Sequence, residues 1–123
     1  MAQGTTKDER FPHERLDAYR VARELVAWVA GKRARLRGLP GEAGPQLERA
    51  LTSALLNVAE AAGRTGGRDQ ARVFAIARGE ACEAAAALDV VALYGVVDAA
   101  SVAEARRRLV RLAQMLTVLA RPR

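Results

Sequence analysis

Three glutamates and a series of arginines are the residues of this 123-residue chain whose types and spacing invite a chemical reading. Glu80 and Glu83 stand three apart, so on a helix they share a side and could offer oxygens to a hard cation. With Glu60 they would make a carboxylate metal site, but such a site needs further ligands. Di-iron helical bundles place a histidine three residues after a glutamate, and no histidine follows these residues at that spacing. No metal is expected. The only cysteine, Cys82, has no histidine arranged to activate it and reads as an inert buried side chain. His13 precedes the first helical block and reads as a surface residue. The stretch Gly63-Arg64-Thr65-Gly66-Gly67 lacks the lysine and hydroxyl ending of a phosphate loop. Neither a cofactor nor an enzymatic reaction is expected.

The arginines point elsewhere. Twenty basic residues face 14 acidic ones for a formal charge of +6, and only Lys7 and Lys32 among the basic residues are lysines. A guanidinium forks onto phosphate oxygens in a way an ammonium cannot. The same bias arises in a GC-rich genome, which inflates arginine and alanine together, so charge alone does not name a ligand.

Helices must position these groups. Half of the chain is hydrophobic, mostly Ala, Leu and Val, with a single isoleucine and 4% aromatic residues. Ala and Leu lose little on entering a helix, whereas sheets favour β-branched and aromatic side chains. Glycine and proline divide the chain into four blocks at 38–45, 63–67 and 95–98. The apolar lines are Leu16, Tyr19, Ala22, Val26 and Val29; Leu47, Leu51, Ala54, Val58 and Ala61; Phe74, Ala77, Ala81, Ala84, Leu88 and Val91; and Val102, Ala105, Leu109, Leu112, Leu116 and Leu119. In the first block Val21, Leu25 and Trp28 widen the arc, and Trp28 reads as core or interface. All four lines keep the helical period. Asp98 or Ser101 could cap the fourth helix.

Blocks of about 20 to 27 residues joined by short breaks predict an all-α, up-down-up-down antiparallel four-helix bundle. It should occupy residues 13–121, after a flexible tail over 1–12. No apolar run is long enough for a membrane span, and no signal-peptide pattern opens the chain, so a cytoplasmic protein is expected. The wide first arc and the run Ala84-Ala85-Ala86-Ala87 suggest a homo-oligomer.

In that topology Lys32, Arg33, Arg35 and Arg37 share one end with Arg106, Arg107 and Arg108. Arg64, Arg68 and Arg72 lie at the other, with Arg121 and Arg123. Either end could contact phosphates without reading bases, or simply be a solvated face. Few aromatic residues interleave with these arginines, so stacking on single-stranded bases is not indicated. In the second block Arg49, Ser53, Asn57, Glu60 and Arg64 recur along one face. They could form a buried polar network with Glu83 and Arg78 of the third block, where Gly79 would let another backbone come close.

Two patterns here resemble those of a known family. The second block carries Ser53, Asn57, Val58, Ala59 and Glu60, with Ala61 where a glycine is common. The third carries Ala77, Gly79 and Glu83, with Glu80 in place of a serine. The entry through Phe11, Leu16, Asp17, Tyr19 and Ala22 is similar too. Together they resemble the four-helix bundle proteins found as reading frames within bacterial 23S ribosomal RNA intervening sequences. The accessory proteins of diversity-generating retroelements are more distant relatives. The resemblance spans roughly residues 11–120. It implies a four-helix bundle, often a homopentamer, with a basic surface, RNA or DNA binding and no established catalytic residues. The expected function is therefore a non-enzymatic oligomer gripping structured RNA or DNA through its arginines. The alternative is a scaffold ring for a protein partner without nucleic acid.

Overall fold

The computed structural model describes residues 9–122, and every regular element among them is helical. A 3-10 turn over Pro12–Arg15 leads into α1 (Asp17–Gly31) and a short α2 (Arg33–Leu36). Three longer helices follow: α3 (Ala43–Gly63), α4 (Gly67–Tyr94) and α5 (Ala99–Leu119). Most of the expected tail, residues 1–8, and Arg123 lie outside the described residues.

The first block differs from its expected form in two ways. Its helix stops at Gly31, and the backbone shifts at Lys32 (φ −101°, ψ 3°) before α2 begins. An unbroken helix would carry Lys32 and Arg33 onto the buried line one turn after Val29. The break instead lays the Lys32 ammonium over the Trp28 ring, 5.9 Å from its centre. The buried line also sits elsewhere on α1. Ala18, Val21, Ala22, Leu25 and Val29 are buried, while Leu16, Tyr19, Val26 and Trp28 are only half-buried.

The expected lines of α3 and α4 are buried at every position, and that of α5 is buried at all but its two ends. α3 starts at Ala43, earlier than its proline suggests, because Pro45 falls in the first turn where a missing N–H breaks no helical bond. Gly44 is needed beside it. A Cβ there would stand 3.0 Å from the Leu36 carbonyl oxygen, so α2 could not lie so close. Gly95 ends α4 in the left-handed region (φ 68°), and Asp98 caps α5 by accepting the Ser101 N–H at 3.0 Å.

α1 packs against α3 and α5, and α4 packs against the same two helices. The core holds Leu25, Leu47, Leu51, Leu88, Leu112 and Leu116, each nearly fully enclosed. Burying one such side chain contributes about 1.5–3 kcal/mol. Alanines between them let the backbones approach closely. No polar or charged residue is buried among the described residues, and no helix is long and apolar enough to cross a membrane.

Candidate nucleic-acid interface

The polar line of α3 does not form a buried network. Asn57 is half-buried and its Nδ2 donates to Glu80 Oε1 of α4 at 2.6 Å. Glu80, rather than Glu83, is the partner across the helix pair. Glu83, about 60° further round the helix, lies outside that contact and is exposed. Glu60 is a surface carboxylate held by Arg64 at 2.6 Å. Ser53 is half-buried and Arg49 exposed. Arg78 reaches α5 instead, its Nε donating to Thr117 Oγ1 at 2.7 Å. A Cβ on Gly79 would meet nothing within 4 Å, so no other element among the described residues approaches it.

The expected basic ends also rearrange. Arg106, Arg107 and Arg108 begin two turns into α5, about 10 Å from its start. Arg108 meets Glu24 of α1 at 3.4 Å, two turns before Lys32. The two groups therefore do not form one cluster with Lys32, Arg33, Arg35 and Arg37. Arg33 pairs with Glu48 of α3 at 3.4 Å, beside a cavity of about 300 Å³ that Arg37 also lines. Lys32 covers Trp28, and Arg35 is exposed.

At the joint between α3 and α4, two of the three expected arginines are already engaged. Asp69 accepts from Arg72 at 2.9 Å and from Arg64 at 2.7 Å. These bonds, Arg72 first, hold the Asp69 carboxyl below the usual carboxylate range, and Glu60 and Asp69 raise Arg64 in turn. Arg68 is exposed and makes no ion pair among the described residues.

A different face concentrates positive charge. Arg20 and Glu24 of α1 and Glu104, Arg107, Arg108 and Arg111 of α5 line a groove of about 370 Å³. Four guanidinium groups face two carboxylates there, a surplus of two positive charges. Arg108 bridges Glu24 and Glu104, the latter at 2.7 Å, and the Glu104 bond raises it above the ordinary arginine value. Arg20 leans on Glu24 at 3.3 Å and Asp17 at 3.6 Å. Arg107 and Arg111 line the groove with no ion pair among the described residues. They stand four apart on one helix, hence about 5–6 Å between Cβ atoms. Arg106 does not line the groove, because each residue steps about 100° around the helix. Neither Arg20 nor Arg111 stands among the arginines that the sequence pointed to; only packing brings them beside Arg107 and Arg108.

A further surface departs from expectation. Cys82 is exposed rather than buried. It lies on an outward side of α4 with Ile76, Gly79, Ala86, Val90 and Leu93, and Leu93 is 86% exposed. His13, before the first long helix as expected, is half-buried. Its ring lies between Phe11 (5.7 Å between centres, 12° apart) and Tyr19 (4.5 Å, 59°).

A family model described as 23S rRNA-intervening sequence protein matches residues 14–118. No curated protein matches the chain.

Proposed function

The chain belongs to the 23S rRNA-intervening sequence protein family, and on that premise we propose that it is a non-enzymatic, oligomeric nucleic-acid-binding protein. The unpaired Arg107 and Arg111 in the groove between α1 and α5 carry this reading. Guanidinium groups already bonded to carboxylates must exchange one partner for another to hold a phosphate, whereas these two need only lose water. The ligand is RNA or DNA gripped by its backbone, with structured RNA favoured by the family's name. The proposed place of action is the bacterial cytoplasm.

The proposed architecture is an up-down-up-down four-helix bundle with α2 as a short elbow. Three cross-helix approaches support it. The first turn of α1 shares a surface pocket with Met115, Val118 and Leu119 near the end of α5. Arg78, in the first half of α4, bonds Thr117, late in α5. Arg64 links the end of α3 to the start of α4. Self-assembly, with a homopentamer favoured by the family likeness, would use the outward side of α4, where Gly79 is open to a second copy. The more distant kinship with accessory proteins of diversity-generating retroelements belongs to the same proposal.

Replacing Arg107 and Arg111 together by Gln should weaken RNA binding by about tenfold or more at low salt. The log–log salt slope should become shallower by about 0.9 for each duplex phosphate that the variant no longer neutralises. Arg49→Gln, on α3 and away from the groove, should leave both quantities unchanged. Unchanged affinity in the double variant would remove the groove from the proposal. Absence of any RNA or DNA binding by the native chain would leave the apolar side of α4 and a protein-scaffold role.

A further inference from the structure

We infer that the stack of Phe11, His13 and Tyr19 receives an unpaired nucleobase, so that the ligand is single-stranded where it meets this end of the molecule. The inference rests on the proposed nucleic-acid binding and adds to it the kind of strand that is bound.

Phe11 is fixed at both of its backbone polar groups. Its N–H donates to Glu14 Oε1 at 2.7 Å, and its carbonyl accepts the Glu14 N–H at 3.0 Å. Its ring lies nearly parallel to that of His13, which leans on Tyr19 at the start of α1. Tyr19 in turn packs against the core. The stack is thus anchored at its inner end, while Phe11 is 67% exposed at its outer end. Single exposed apolar residues are ordinary. An exposed ring stacked on a second that a third backs is a preformed platform, and a base that settles on it orders little that is not already ordered.

Glu14 and Asp17 give the turn itself negative charge, and the cations that favour a nucleobase over a protein side chain come from the elements that meet it. Pro12 and Leu16, next to the stack, share a cavity of about 170 Å³ with Gly67 and Leu119. Arg68 follows Gly67, and Arg121 lies two residues after Leu119. Both are exposed and neither makes an ion pair among the described residues. Aromatic faces beside free cations are how proteins hold single strands: the rings take bases and the cations take phosphates. Paired bases inside a duplex are already stacked and turn only their edges outward, so they cannot use such a platform.

The test uses the full chain, a short poly-uridine strand and a blunt RNA duplex with the same number of phosphates. Phe11→Ala should weaken binding of the single strand about tenfold and leave the duplex unchanged. The salt slope should stay the same for both, because every cation that meets a phosphate is still in place. Phe11→Trp should restore single-strand affinity. Equal weakening on both probes, or none on either, would overturn the inference while leaving the groove's role intact. A change in the mass of the assembly with Phe11→Ala would also overturn it, assigning the ring to a subunit interface. If the native chain binds neither probe, the inference and the proposed function fall together.

Discussion

α4 and α5 pack against each other and bury similar lines, Ala77, Ala81, Ala84, Leu88 and Val91 on one, Ala105, Leu109, Leu112 and Leu116 on the other. Their outward sides have little in common. α5 presents Arg106, Arg107, Arg111 and Gln114 with Val110 and Val118 among them, whereas α4 presents Ile76, Gly79, Cys82, Ala86, Val90 and Leu93 with Glu83 and Asp89 among them. The inner lines obey the same rule because both helices solve the same problem of covering one core. The outer sides are free of that rule, and the proposed partners, a second copy on α4 and phosphate on α5, would account for their contrast. Small and apolar residues suit another protein surface, and guanidinium groups suit phosphate.

The sharpest way to break this contrast is to charge the apolar side. Val90→Glu with Leu93→Glu should reduce an assembly several times 13.2 kDa to the single-chain mass by light scattering. Helix content by circular dichroism should not change, since both side chains are exposed. An unchanged mass would move the subunit interface away from α4. The matching change on α5, the double replacement of Arg107 and Arg111, should alter affinity and not mass.

The smallest effect compares the first turns of the two helices. Asp69 in α4 is held below the usual carboxylate range by Arg72 and Arg64, and Asp98 at the start of α5 by the Ser101 N–H. A lowered carboxyl contributes stability that is complete above its unfolded value, 3.8, and is lost as pH falls through the lower folded value. The melting temperature should therefore be insensitive to either group from neutrality down to about pH 5 and should decline from about pH 4 towards pH 2. Asp98→Asn keeps a side-chain oxygen for the cap and removes the titration, so its decline should be shallower. Curves of equal steepness would show that the cap does not depend on its charge.

These contrasts also mark what the sequence makes legible. On α3, α4 and α5 the lines read at helical spacing are the core, apart from the two ends of the α5 line, although Leu56, Ile76, Val90, Leu93, Val110 and Val118 stay exposed outside them. On α1 the apolar residues span so wide an arc that its centre is ambiguous. Tyr19 and Val26 fall at the rim, while Val21 and Leu25 fall inside. The candidate arginines are visible as residues, but their availability depends on acidic partners from other elements. Glu24 and Arg108 are 84 positions apart. The choice of Glu80 over Glu83 turns on helix rotation against α3, and the aromatic stack joins a turn to a helix. Spacing within one element carries neither.

The joint at 64–66 has a consequence for the order of folding. It connects α3 to α4 through three residues, with Arg64 bonded to Glu60 before it and to Asp69 after it. Closing so short a loop sacrifices little chain entropy, so this hairpin can form early, whereas the α1–α5 seam must bring distant segments together. The groove should then be the last surface completed and among the first to open. Native-state amide exchange should find α3 and α4 protected longest, with α1 and the turn that carries Phe11 exchanging sooner through partial opening.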